Sequence, residues 1–399
     1  TPPAHPLDLR LFGCAMPKPK QPSSLSATQP AVLVEADHAE ASSQVLQAML
    51  AVRSAWRTAM LAVQTTIASH GRAGGHRRPV VMVLLLMRVG KAHARPIHCD
   101  HARYANEGAF AAIAADGSIS VWGDNTRGGG QFDAPSAAGF TSIFSTLRAF
   151  AALADDGSIS AWGNSGFGGN NAPAGTGFTS ISSTAWAFAA LASDGSISSW
   201  GNSGNGGSGA PVGTGYTSIS SAFRAFAALA NDGSIAAWGD SACGGSGAPT
   251  GTGFTAIYAN DEAFAALAAD GSISAWGNSN GGGSGAPLGT GFTVVSATIF
   301  AFAALTSNGT IAAWGDDTWG GTGAPTGTGF TAVYATQSAF AALKDDGSIS
   351  SWGNGAMGGS GAPAGTGFTA VFATGQAFAA LSSNGGISTW GSGAFGGSN

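Results

Sequence analysis

Catalysis and metal binding need particular side chains at workable spacings, and in this 399-residue chain those side chains are unevenly placed. All seven histidines lie at or before His101. A Ser-His-Asp or Cys-His arrangement further along would have to borrow its base from the N-terminal quarter. His98-Cys99-Asp100-His101, with His93 nearby, has metal-ligand types. Its spacing fits no four-ligand zinc pattern, so it reads as solvated linker. Adjacent carboxylates occur at Asp155-Asp156, Asp316-Asp317 and Asp345-Asp346. In the first and last of these the second aspartate precedes glycine and reads as a turn residue. Glycine runs such as Gly204–Gly209 lack the Lys-Ser/Thr of a phosphate loop and a strand-to-helix context. Nor do they carry the regular Asp of the calcium-binding roll. The expectation is a protein that is not an enzyme, with no cofactor and no metal.

What remains is recognition chemistry. Eight residue pairs, each just before an Ala-Phe-Ala-Ala run, differ from one another. They are Glu107-Gly108, Leu147-Arg148, Ala185-Trp186, Phe223-Arg224, Asp261-Glu262, Ile299-Phe300, Gln337-Ser338 and Gly375-Gln376. Aromatics beside arginines match the make-up of interface hot spots. Arg148, Trp186, Phe223, Arg224, Asp261, Glu262, Ile299 and Phe300 are therefore the candidate partner-binding residues. A second variable set precedes each Gly-Gly: Arg127, Phe167, Asn205, Cys243, Gly281, Trp319, Met357 and Phe395. Drift at tolerant loop positions would also produce such variation. For the second set, plugs over a core are a further option.

These positions can be compared because they recur in a repeat. Trp-Gly occurs at Trp122, Trp162, Trp200, Trp238, Trp276, Trp314, Trp352 and Trp390, first 40 residues apart and then 38. A fixed period of this size marks a solenoid, propeller or array. Each unit reads as a Phe-Thr-Ser-Ile-type strand, an Ala-Phe-Ala-Ala-Leu strand, an Asp-Gly or Asn-Gly turn and a return strand to Trp-Gly. A Gly-Gly loop and Ala-Pro follow in most units, leaving room for a short fourth strand. The Asp-Gly dipeptide suits a type I′ hairpin, which needs positive φ at both turn centres. Ala and Ser on both strand faces imply sheets covered on both sides. One large Phe and one large Trp per unit would fill the space between neighbours. Ala102-Arg103-Tyr104-Ala105-Asn106 matches Ala256–Asn260, so the first unit keeps a degenerate first strand.

The run from Ala152-Leu153 through Asp156-Gly157-Ser158-Ile159 to Trp162-Gly163, with its glycine-rich loop, resembles the regulator of chromosome condensation repeat. It recurs eight times in register over three quarters of the chain. The short period and the Ala-Pro look like the compact branch typified by β-lactamase inhibitor protein II. The resemblance implies a β-propeller of seven blades, a protein-binding platform and not an enzyme. In that branch the loops corresponding to the eight pairs form the partner-binding face. The sequence departs from the family in having eight units, in placing Ala149, Ala187 and Ala225 where a histidine is frequent, and in lacking Gly-Gln-Leu after the loop. The expected fold is an all-β propeller of about 38-residue, three- to four-stranded units, with seven or eight blades and a partly helical N-terminal extension. A guanine-nucleotide exchange factor for a small GTPase is one alternative function. It would be supported by an added loop between units, and none is seen. A structural or surface repeat without a specific partner is the other.

Before the repeat, residues 1–34 read as a disordered Pro/Ser-rich segment. Residues 35–69 read as an amphipathic helix with Val45, Met49, Val52, Trp56, Ala59, Val63 and Ile67 on one stripe. Residues 70–98 form a linker whose Arg77–Met87 run and Ala92-His93-Ala94 have the outline of an internal signal segment. Residues 99–399 are the repeats. Charge follows the same division: the first 100 residues hold 11 of 16 Lys+Arg and 5 of 21 Asp+Glu. The acidic remainder, with five scattered basic residues, excludes a nucleic-acid footprint. No apolar run reaches the ~20 residues of a membrane-spanning helix. Three cysteines make no disulfide framework. The expected partner is a protein, and the expected state is a monomer.

Overall fold

The computed structural model describes residues 105–130 and 134–397. The N-terminal elements expected over 1–34, 35–69 and 70–98, and the His98–His101 cluster, lie outside the described residues. The repeat appears as eight small antiparallel sheets, one per unit. Unit 1 contributes β1 (Ala109–Ile113) and β2 (Ile119–Gly123). Unit 2 contributes β3 (Phe140–Ser145), β4 (Ala149–Ala154) and β5 (Ile159–Gly163), a meander with β4 in the middle. The same three-stranded sheet recurs in units 3 to 8, and no described unit has a fourth strand. This is an all-β repeat fold of β-propeller type.

Each recurring residue has a local cause. The Phe-Thr pair opens the first strand at a bulge, where the register shifts between Phe140 and Ser142. The extra residue, Thr141, turns its hydroxyl onto the Leu153 carbonyl at 3.1 Å. The Asp-Gly turn differs from the type I′ expectation. Among the described non-glycine residues only Asn171 has positive φ, so the turn aspartates do not. Gly157 alone enters the left-handed region, at φ 79°, and its N–H bonds back to the Ala154 carbonyl. The turn is a type I turn closed by a left-handed glycine, which the same dipeptide also favours. Asp156 accepts from the Ser158 N–H at 2.9 Å, and this bond holds its carboxyl below the usual aspartate range.

Packing runs from unit to unit. Alternation along β4 sends Phe150 and Ala152, with Trp162, toward unit 1, against Ala109, Ala111, Ile113 and Val121. It sends Ala149, Ala151 and Leu153 the other way, against Ile181, Phe188, Ala190 and Trp200 of unit 3. Alanines on this second face leave the depth that the neighbouring ring pair fills. Within each unit Phe and Trp stack, as at Phe264–Trp276 with centroids 5.1 Å apart. Each interface is also latched by an indole bond. The indole N–H of Trp162, Trp200, Trp238, Trp276, Trp314, Trp352 and Trp390 donates to a glycine carbonyl of the unit before. A buried indole N–H without an acceptor would cost about 1–3 kcal/mol, so the latch sets the register as well as the contact.

Among the described residues there are seven such interfaces, and the outer faces of units 1 and 8 keep exposed apolar side chains. On unit 1, Phe110 is 64% exposed and Trp122 is 50% exposed. On unit 8, Ile387 is 64% exposed.

Candidate protein-binding rim

The eight variable pairs sit at the ends of the central strands opposite the Asp-Gly turns. The main chain lines them up there in one row. The N–H of Glu107 donates to the Leu147 carbonyl, Leu147 to Ala185, Ala185 to Phe223, and Phe223 to Asp261. Asp261 donates to Ile299, Ile299 to Gln337, and Gln337 to Gly375. Each rim loop is thus tied to the next at 2.9–3.2 Å. A side chain on one loop is held at a fixed distance from the next.

Both variable sets belong to this one rim. In five of the units the second residue of the pair lies against the residue 19 positions on, in the short turn after Trp-Gly. The Arg148 guanidinium lies 5.1 Å from the Phe167 ring centre. Phe300 meets Trp319 edge-on at 4.9 Å, and the Ser338 hydroxyl reaches the Met357 sulfur at 2.9 Å. Only the constant spacing of 19 marks this pairing in the sequence.

The two loops are pinned together by a residue that motif reading passes over. Thr146 Oγ1 donates to the Phe167 carbonyl at 3.0 Å and accepts from the Ala149 N–H at 3.1 Å. Thr184, Thr298, Thr336 and Thr374 repeat this, and Asn106 and Asn260 do the same with a side-chain amide. Unit 4 has buried Ala222 in this place, so nothing from that position holds the Cys243 carbonyl. Thr298→Ala should therefore lower stability by about 1–3 kcal/mol by stranding the buried Ala301 N–H and the partly buried Trp319 carbonyl. Ala222→Thr should raise it by about 0.5–1.5 kcal/mol. Denaturant unfolding of the two variants checks both signs, and an Ala222→Thr chain no more stable than the parent would show that the loop is already held by other means.

The candidate residues fall into three neighbouring groups along the row. In the first, Trp186 lies 6.2 Å from Phe167 and meets Phe223 edge-on at 4.8 Å. The Arg224 guanidinium stands over both rings, 5.0 Å from Trp186 and 5.7 Å from Phe223. Arg148 joins this group through Phe167. The two arginines stay about half exposed, and each has a carboxylate nearby. Arg148 Nε is 3.6 Å from Glu107, and Arg224 is 3.7 Å from Asp240. The Arg148 Nε is itself buried and makes no hydrogen bond.

The second group is acidic. Burial first, and then the neighbouring Asp261 charge, raise the Glu262 pKa, with Arg224 acting against them. Cys243 lies in the same field, and burial, followed by Asp240 and Glu262, pushes its thiol up to about 11. A thiol so placed is a poor nucleophile at neutral pH. In the third group, Ile299 takes its place in the backbone row and Phe300 packs on Trp319. Among the described residues no three His, Cys, Asp or Glu side chains gather to hold a metal ion. No described helix is long and apolar enough to cross a membrane.

The fold and rim define a class, an all-β repeat protein of β-propeller type with one variable edge. No protein-family model matches the chain, and no curated protein matches it. Solved structures to which the chain is similar include the following. The ectodomain of receptor kinase CR4 from Physcomitrella patens is 21% identical, with 63% of this chain and 71% of that one covered and a TM-score of 0.41. Prp20p of Saccharomyces cerevisiae, a protein described with its binding to Gsp1p and histones, is 14% identical, with 62% and 81% covered and a TM-score of 0.38. The computationally designed Ika8 protein is 18% identical, with 70% and 92% covered and a TM-score of 0.36. The functions of these proteins are theirs and do not pass to this chain by likeness at this level.

Proposed function

We propose that the chain is a non-catalytic protein-binding module that presents its variable rim to a protein partner, in the manner of the compact branch named above. The observation that carries this reading is the tied row of variable pairs. The strands, turns and indole latches repeat from unit to unit. Arg148, Trp186, Phe223, Arg224 and Phe300 differ from one another and stand together on that row of loops. Partly buried aromatics held by stacking and arginine contacts lose little side-chain freedom on binding, which favours affinity. The acidic pair beside them gives the surface a polarity that selects orientation.

The test compares two full-length baits in lysate from the protein's own source. One is the parent chain. The other carries Arg148→Ala, Trp186→Ala, Arg224→Ala and Phe300→Ala, with an unchanged thermal melt required of its repeat region. A protein retained by the parent and lost from the variant supports the rim. Equal retention of the same proteins by two well-folded baits would leave a structural repeat as the better reading.

A further inference from the structure

The seven internal interfaces have one design, and the terminal units carry the two halves of an eighth. The first half is on unit 1. Phe110 and Trp122 stack at 5.7 Å like every other Phe–Trp pair, yet they are exposed where Phe264 and Trp276 are buried. The Trp122 indole has no glycine carbonyl to donate to among the described residues, and the Glu107 carbonyl has no rim N–H to accept. The second half is on unit 8. Ala377, Ala379, Leu381 and Ile387 form the alanine-lined face that elsewhere receives a ring pair. Gly396 stands where Gly128, Gly168, Gly206, Gly244, Gly282, Gly320 and Gly358 each back onto the next unit's Phe ring, and nothing lies within 4 Å of its Cβ position. Its carbonyl receives no indole, and the Gly375 N–H finds no rim carbonyl among the described residues.

The ring pair, the indole, the glycine carbonyl and the rim bond that are unmatched at one end thus have their counterparts at the other. Because Phe110 and Ile387 are both exposed in the same chain, the two halves do not cover each other within it. We propose that a second copy of the chain supplies the missing half, so that unit 8 of one copy docks on unit 1 of the next. Trp122 then donates to Gly396, and Gly375 donates to Glu107. The contact is heterologous, since the two surfaces differ, and it continues the interface that already joins units 1 to 8. This departs from the monomer expected from the sequence and is independent of what the rim binds.

Sedimentation of the full-length chain over a range of concentrations tests it, with Phe110→Glu and Ile387→Glu as single variants. The average mass of the parent should at least double between about 1 and about 100 µM, the range of a weak to moderate interface. Each variant alone should stay monomeric, because every copy then lacks the same half. An equal mixture of the two should return a one-to-one dimer, because one variant keeps its unit-8 face and the other its unit-1 face. A parent chain that stays monomeric throughout would overturn the proposal, whether or not the substitutions lower its melting temperature. So would association of either variant alone, or a mixture that stays monomeric while the parent associates.

Discussion

Phe264→Ala should destabilise the chain by about 3–5 kcal/mol, the usual cost of emptying a buried aromatic site, while Phe110→Ala should change stability by no more than about 0.5 kcal/mol. The two phenylalanines occupy the same place in the same motif. Both stack on a tryptophan, Trp276 for one and Trp122 for the other. They differ in what lies beyond the ring. Phe264 is sealed against Ala225, Ala227 and Leu229 of the unit before it, whereas Phe110 faces outward. Residue type and motif position alone predict equal losses, and neighbour packing predicts unequal ones. Urea unfolding of dilute protein separates them. A similar loss from both substitutions would mean that the ring pair acts within its own sheet and not between sheets.

Gly244→Ala should cost about 2–5 kcal/mol, and Gly251→Ala only about 1–2 kcal/mol. Both glycines have φ in the left-handed region, at 87° and 108°. An added methyl therefore strains the backbone at either position. At Gly251 that strain is the whole effect, because nothing lies within 4 Å of the Cβ position. At Gly244 the same methyl would stand 2.7 Å from Phe264 Cδ2 and 3.0 Å from Cε2. The ring cannot retreat, because it is buried against the neighbouring unit. The substitution would also disturb the Gly244 carbonyl that accepts the Trp276 indole. Calorimetric melts of the two variants give the comparison, and equal shifts would show that the glycine serves only its turn.

Much of the fold was legible because the period carries it. Trp-Gly, Ala-Phe-Ala-Ala-Leu and Phe-Thr-Ser-Ile fall where the three strands of units 2 to 8 lie, and small residues on both faces correctly implied sheets covered on both sides. The turn was placed correctly and typed wrongly. Asp156-Gly157 supports a type I turn with a left-handed glycine as readily as type I′, and strand twist and loop length make that choice. The candidate rim was legible as a set of variable pairs, and its union with the second set was not. Phe167 reaches Arg148 and Trp186 only because Thr146 and the rim row fold two loops together, over spacings of 19 and 21 that no local pattern marks. Eight units left open, in the sequence, whether the array closes, carries a surplus unit or stays open. Whether unit 8 meets unit 1 depends on the small rotation between units summed over the array, and no single residue encodes that sum.

The rim is most directly tested by hydrogen exchange on the full-length chain, with and without the protein that the parent bait retains. The rim reading predicts slowed exchange at residues 146–149, 184–187, 222–225 and 298–301, with unchanged exchange at the Asp-Gly turns on the opposite edge. Protection concentrated at the turns of residues 155–158, 193–196 and 231–234, with the rim unaffected, would place binding on the other edge and contradict it.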